Sequence, residues 1–486
     1  MKYIRQSVKL LFILGLLSSL FVPSYFGAAK GNNQIDLQAV DSFLQKQVKS
    51  NRIPGLAVAI VQSEKVIFNK GYGKAAPGEP VTPQTQFYIG SVTKSFTALA
   101  TMQLVEQGKL DLDAPVQQYL PWFQIADSEA SSKITVRHLL NHTSGLSEAG
   151  DPHPSKYTSN LEDQARALTD VHLTESVGSQ YQYYNQNYRV VGLLIEQVSG
   201  QSFGDYLQEN VFEPLGMAHT IADPTEATKL AQGYSRVFGF SLPQSQRFVP
   251  GGLPSGYLIS TADDMAQYLL AQIKNQQVDG KQMLTPQSLT TMRTPPIGID
   301  SEYGMGWMVL ENGNSFAHGG ALEYFQSFVT INLKEEVGLV ILFNQNSLEN
   351  MLFENNVIRN GLINLLNGTQ PQKITYGWTG WLLLILATSD LFNHLRLFRM
   401  LPVWVQKTSS QNNLWLWTKV LAGILFPLAV IFGLPLLVNA IGVGTPSWSE
   451  PLKLMPDLTI WLLLGLILNL IRSLLHALKL LRRQER

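Results

Sequence analysis

The sequence predicts an α+β globular domain followed by three transmembrane helices. Strand-like segments stand near both ends of the first 371 residues, at 56–61 and 66–69 and again at 304–310, 324–332 and 338–343. A mainly helical stretch, 110–206, lies between them. Beyond about residue 372 the composition turns apolar in three long runs. The chain thus divides into a leader (1–29), a globular domain (30–371) and a membrane domain (372–486).

The leader has Lys2, Arg5 and Lys9 ahead of an apolar run at 10–22, then Pro23 and the small residues Gly27-Ala28-Ala29. That is the layout of a secretory signal peptide with cleavage after Ala29, an uncleaved anchor being the alternative. Over all 486 residues, Lys plus Arg and Asp plus Glu balance at 36 each, so no net charge draws the chain to nucleic acid. The absence of cysteine excludes disulfides, thiolate nucleophiles and Cys-ligated zinc.

The apolar runs at 376–392, 414–441 and 458–475 each approach or exceed the ~20 residues a bilayer core requires. Arg396, Arg399 and Lys407 follow the first, and Lys479, Arg482, Arg483 and Arg486 follow the third. The intervening loop has Lys453 against Glu450 and Asp457. The positive-inside rule makes the first loop and the C-terminus cytoplasmic. Trp378, Trp381, Trp415 and Trp417 suit interfacial belts. The expected product is a multi-pass cell-membrane protein whose globular domain is extracytoplasmic, with the lipid bilayer as one partner.

In the globular domain, 37–50 reads as an amphipathic helix, and 56–61 with 66–69 as a hairpin joined by Gln62-Ser63-Glu64-Lys65. A turn-rich loop at 77–83 precedes Phe87-Tyr88-Ile89-Gly90-Ser91, where a strand-like stretch runs into a helix ending at Gly108. Ser91 falls at the N-cap, and Lys94 one turn further on shares its face. A serine beside an amine that burial can deprotonate is a candidate nucleophile; a capping serine with a solvated lysine is the alternative.

His138 and His142 have the i, i+4 spacing of a zinc pair, but Leu139 stands where a zincin needs Glu, and no metal is expected. Gly200-Gln201-Ser202-Phe203-Gly204 matches a nucleophile elbow, yet it follows a helical rather than a strand pattern. Ser202 and Asp205 read instead as a capping pair. The loop before that helical pattern, 181–188, reads either as an ordinary polar-aromatic loop packed on the core or as carrying a functional pair, Tyr183 and Asn185, whose side chains point the same way from an extended backbone. His318-Gly319-Gly320-Ala321 sits between two strands as a simple turn, or as a place where another backbone or a ligand approaches closely. A helix at 348–366 closes the domain.

Together, Ser91-Val92-Thr93-Lys94, Tyr183-Tyr184-Asn185 and His318-Gly319-Gly320 resemble the three motifs of the serine β-lactamase and penicillin-binding protein superfamily, in its class C β-lactamase-like branch. Leu139-Leu140-Asn141-His142-Thr143-Ser144-Gly145-Leu146, Phe212-Glu213-Pro214-Leu215-Gly216-Met217 and Tyr303-Gly304-Met305-Gly306-Trp307 extend the likeness over about 35–366. The resemblance implies a β-lactamase/transpeptidase-like fold, a mainly antiparallel sheet flanked by helices with a helical region inserted. It also implies a Ser91 acyl-enzyme, with Lys94 and Tyr183 sharing general-base work and no cofactor. The oxyanion would meet the backbone N–H groups of Ser91 and Ala321. Asn185, His318, Gly319 and Gly320 would bind substrate.

Where many relatives carry Lys-Thr-Gly, this chain has His318-Gly319-Gly320, which offers neither a permanent cation nor a hydroxyl. The substrate expected is a small molecule or peptide with an amide or ester bond, cleaved by a D-alanyl peptidase or esterase rather than an efficient β-lactamase. A penicillin-binding receptor or wall-associated structural protein without turnover, or a true β-lactamase, is the alternative.

Overall fold

The computed structural model describes residues 35–152, 160–274, 277–278, 281–347, 349–372, 374–407, 413–440 and 448–484. The expected signal peptide lies outside them.

Helix α1 (Leu37–Asn51) starts where the Asp36 carboxylate accepts the Ala39 N–H at 2.9 Å, and it stops at Arg52 in a left-handed conformation. Strands β1 (Gly55–Gln62), β2 (Lys65–Ala76) and β3 (Glu79–Pro80) follow. Four more come from the other end of the domain: β4 (Met308–Leu310), β5 (Ser315–Ala321), β6 (Gln326–Asn332) and β7 (Val337–Phe343). They make one antiparallel sheet of seven strands, ordered β4-β5-β6-β7-β1-β2-β3, closed where Ala59 of β1 pairs with Val340 of β7.

The two central strands are apolar throughout because both faces are covered. Leu56, Val58 and Ile60 of β1 face one core with Leu339 and Ile341 of β7. There they meet Val40 and Leu44 of α1 and Ile358 and Leu362 of the helix Asn355–Leu366. Ala57, Ala59 and Val61 face the larger core on the other side, with Phe96 and Leu99 of α2 (Thr93–Glu106). Helix α2 is buried along Thr93–Met102, so it has no polar face to present to water. Its hydroxyls are satisfied internally; Thr97 Oγ1, for example, donates to the Pro254 carbonyl at 2.7 Å. Helices α3 (Asn185–Ser199) and α4 (Ala262–Ile273) pack around it.

Three expectations change. The stretch 304–310 is strand only at its end, because Gly306 turns with φ 76° directly against α2. The His318-Gly319-Gly320-Ala321 stretch is the second half of β5, not a turn. The N-cap of α2 is Val92, with Ser91 in a preceding 3₁₀ turn, Gly90–Val92, and neither turn nor helix has a side-chain cap. Ser202, by contrast, does cap its helix, accepting the Asp205 N–H at 3.1 Å.

Helix α5 (Asn355–Leu366) completes the globular part, and beyond it run three long helices, α6 (Thr379–Arg399), α7 (Asn413–Ala440) and α8 (Pro456–Gln484). Of the three expected spans, two are long and apolar enough to cross a membrane among the described residues, at 414–436 and 456–482. Helix α6 falls short because its apolar run begins only after Thr379 and meets Asp390, Asn393, His394 and Arg396. The Trp461 indole of α8 donates to the Asp390 carboxylate at 3.2 Å. Lys453, between α7 and α8, stands 3.6 Å from Glu323 of the globular domain.

Candidate active site

The turn that carries Ser91 is gripped on two sides. Ile89 donates to the Leu258 carbonyl at 3.0 Å, and its own carbonyl accepts from Ser327 Oγ of β6 at 2.6 Å. Strand β4 pairs with β5 only as far as Ala317, which leaves the rest of β5 to run beside this turn. A side-chain carbon at Gly320 would lie 2.0 Å from the Ile89 carbonyl oxygen, and one at Gly90 would lie 2.5 Å from the Ala321 nitrogen. Only glycine permits that approach, and Gly90 also takes φ 52°. The first and third sequence motifs therefore abut along their backbones.

Lys94, the second residue of α2 and one turn beyond Ser91, is wholly buried. Its Nζ lies 3.1 Å from Ser91 Oγ, 2.8 Å from Asn185 Oδ1 and 2.5 Å from the Ser255 carbonyl oxygen. It also stands 4.9 Å above the Tyr183 ring. No carboxylate is among these partners. Burial, reinforced by the Arg189 charge, pushes the Lys94 ammonium well below its ordinary range. Once it has lost a proton, the amine has two N–H donors and one lone pair. The amide and backbone oxygens can only accept, so the lone pair is left for the one partner that can donate, the Ser91 hydroxyl.

Tyr183 precedes α3 and walls the cleft, with 38% of its surface exposed. Burial raises its phenol, a hydrogen bond with Ser91 pulls it back, and Tyr181 raises it again. Asn185 is the first residue of α3, so the second motif sits where loop becomes helix.

His318 is buried on β5 and turned away from the role of a free cation. Its Nδ1 lies 2.7 Å from the Gly319 carbonyl oxygen, which can only accept, so Nδ1 carries the proton. Nε2 then accepts from the Tyr303 hydroxyl at 3.0 Å. Burial lowers the imidazole to about 3. Gly319 faces open space.

All the candidate residues from the sequence thus meet around one turn, while His138 is spent elsewhere, its ring closing a capping box with Thr135. Sequence reasoning missed Ser255, Arg189 and Tyr303. Ser255 acts through a backbone carbonyl, which leaves no mark on residue type, whereas Tyr303 stood inside a recognisable motif. A separate cavity of about 340 Å³, lined by Glu106, Asp111 and Arg137 among others, lies at the opposite end of α2 and holds none of these groups.

A family model described as beta-lactamase matches residues 40–362. The chain belongs to the beta-lactamase family. It is 30% identical over 318 residues to Protein flp of Staphylococcus aureus (strain MW2), covering 64% of this chain and 63% of that protein. The chain therefore spans less than two thirds of that relative's length. It is 28% identical to a beta-lactamase of Escherichia coli (strain K12), covering 66% of this chain and 91% of the other. The octameric penicillin-binding protein homologue from Pyrococcus abyssi superposes with a TM-score of 0.61 at 27% identity, over 70% of this chain and 79% of that one. The matched residues carry the serine hydrolase-like fold of that family.

Proposed function

We propose that this protein is a membrane-anchored, extracytoplasmic serine hydrolase that opens an amide or ester through a Ser91 acyl-enzyme. The observation that carries the reading is the Lys94 Nζ, buried without a counter-ion 3.1 Å from Ser91 Oγ. Neutral Lys94, with Tyr183, takes the Ser91 proton as Oγ attacks the carbonyl carbon. The oxyanion is met by the N–H groups of Ser91 and Ala321, a pair favoured by the close packing of β5 on the turn. The leaving amine or alcohol departs with a proton returned by the same pair, and water then releases the acid. Asn185, Gly319 and Gly320 border the substrate.

The neutral His318, tied to Tyr303 and Gly319, favours an esterase or D-alanyl peptidase acting on a group without a free carboxylate at that position. The apolar helices α7 and α8 support a membrane anchor. With α6 as a third, less apolar crossing, the segment between α7 and α8 returns to the outer face, which the Lys453–Glu323 contact supports. The test is covalent labelling of the full chain with a fluorescent penicillin and a serine-reactive acyl probe. Ser91→Ala is expected to abolish both; labelling that survives in this variant refutes the nucleophile. Release of the label over minutes supports turnover, whereas a permanent adduct supports a receptor instead.

A further inference from the structure

His142, set aside above as a metal ligand, has no role in that chemistry, yet it is fully buried beside it. Its backbone is left-handed, φ 56°, an uncommon conformation for a non-glycine residue. That twist aims two acceptors of His142 at one segment. Its carbonyl accepts the Gln182 N–H at 2.8 Å, and its ring Nδ1 accepts the Tyr184 N–H at 3.3 Å. The residue between those two donors is Tyr183, whose ring lies 4.4 Å from the imidazole, tilted by 39°.

The ring state is fixed by its neighbours. Ser144 Oγ donates to Asn187 Oδ1 at 2.9 Å, which turns the Asn187 amide nitrogen toward His142 Nδ1 at 3.1 Å. Two N–H groups therefore converge on Nδ1, so the proton sits on Nε2. That atom is buried and has no hydrogen-bond partner among the described residues. A buried orphan donor is costly and calls for a compensating task. Leucine or phenylalanine would fill the space without it; neither could receive the Tyr184 N–H.

We propose that His142 is the positioning residue for Tyr183, its carbonyl and Nδ1 holding the flanking backbone so that the phenol stands over Ser91 and Lys94. This rests on the acyl-enzyme reading above. Asparagine places an acceptor oxygen where Nδ1 is and tolerates the left-handed backbone; glutamine carries its oxygen one carbon further, near the Nε2 position.

The experiment compares wild type, Ser91→Ala, His142→Asn, His142→Gln and His142→Leu as full-length protein in detergent. It reads kcat and KM on a short-chain p-nitrophenyl ester, with thermal unfolding alongside. His142→Gln and His142→Leu are expected to lose on the order of 10²-fold in kcat with KM little changed, and His142→Asn to stay within about 5-fold of wild type. If His142→Leu does not fold, the Asn and Gln pair decides alone. Equal kcat in those two, at whatever unfolding temperatures, overturns the positioning role. Wild-type turnover that survives Ser91→Ala overturns the nucleophile reading, and this inference with it.

Discussion

Replacing Gly320 by alanine tests the contact on which the proposed oxyanion hole depends. The added carbon would lie 2.0 Å from the Ile89 carbonyl oxygen and 2.4 Å from Ser327 Oγ, whereas ordinary contact begins near 3.4 Å. Ser327 could rotate away, at the cost of its 2.6 Å bond to Ile89. The Ile89 carbonyl cannot, because it is backbone two residues ahead of Ser91. Strand and turn must then part by about 1.4 Å. A misplacement of about 1 Å can cost on the order of 10²-fold, and loss of one oxyanion donor costs about 2.7–4 kcal/mol, or 10²–10³-fold. Gly320→Ala should therefore lower kcat by at least about 10²-fold. The assay is ester hydrolysis under saturating substrate, paired with thermal unfolding. Gly319→Ala is the control for strand stability, since its side chain would meet nothing within 4 Å and should move the unfolding temperature by no more than about 2 °C. A Gly320→Ala enzyme with near wild-type kcat would show that the Ala321 N–H is not a donor to the transition state.

Lys94→Met should reduce kcat by about 10²–10⁴-fold while the protein still folds, because it removes a base but no counter-ion. The pH dependence follows from the same group. The folded chain holds Lys94 below its ordinary 10.5, so the unfolded chain binds the extra proton between the two values and stability rises with pH across that window. Lys94→Met should flatten this slope in unfolding temperatures measured against pH, and an unchanged slope would place the titration elsewhere. Membrane topology can be read with single cysteines, since the chain has none of its own. Ser449→Cys should react with an impermeant maleimide on intact cells and Arg486→Cys only after permeabilisation; the reverse pattern would invert the proposed orientation.

The parts of the site that were legible in the sequence are those in which a side chain acts within a local pattern. Ser91 and Lys94 share one helical turn, and Tyr183 and Asn185 share the entry to another helix, so spacing alone brings each pair together. What stayed hidden is carried by backbone. The Ser255 carbonyl reaches Lys94 across 161 residues, and any residue type would supply that oxygen. Ser91 looked like a cap because the 3₁₀ turn ahead of α2 has no signature of its own. His142 drew attention through its spacing from His138, whereas its left-handed backbone, which decides what it holds, is invisible in a one-letter string.

Strand β5 shows the physical reason most directly. Gly319 and Gly320 argue against a strand on propensity, because glycine packs nothing on a pleated surface. Yet Gly320 is in the strand because nothing must be packed there: the backbone of Ile89 already fills the space. The same approach sets the chemistry, since it leaves His318 to turn inward to Tyr303 instead of standing over the cleft as a cation. A lysine at that position could only donate, so the Tyr303 hydroxyl would turn from donor to acceptor and hold the ammonium inward, away from a substrate carboxylate.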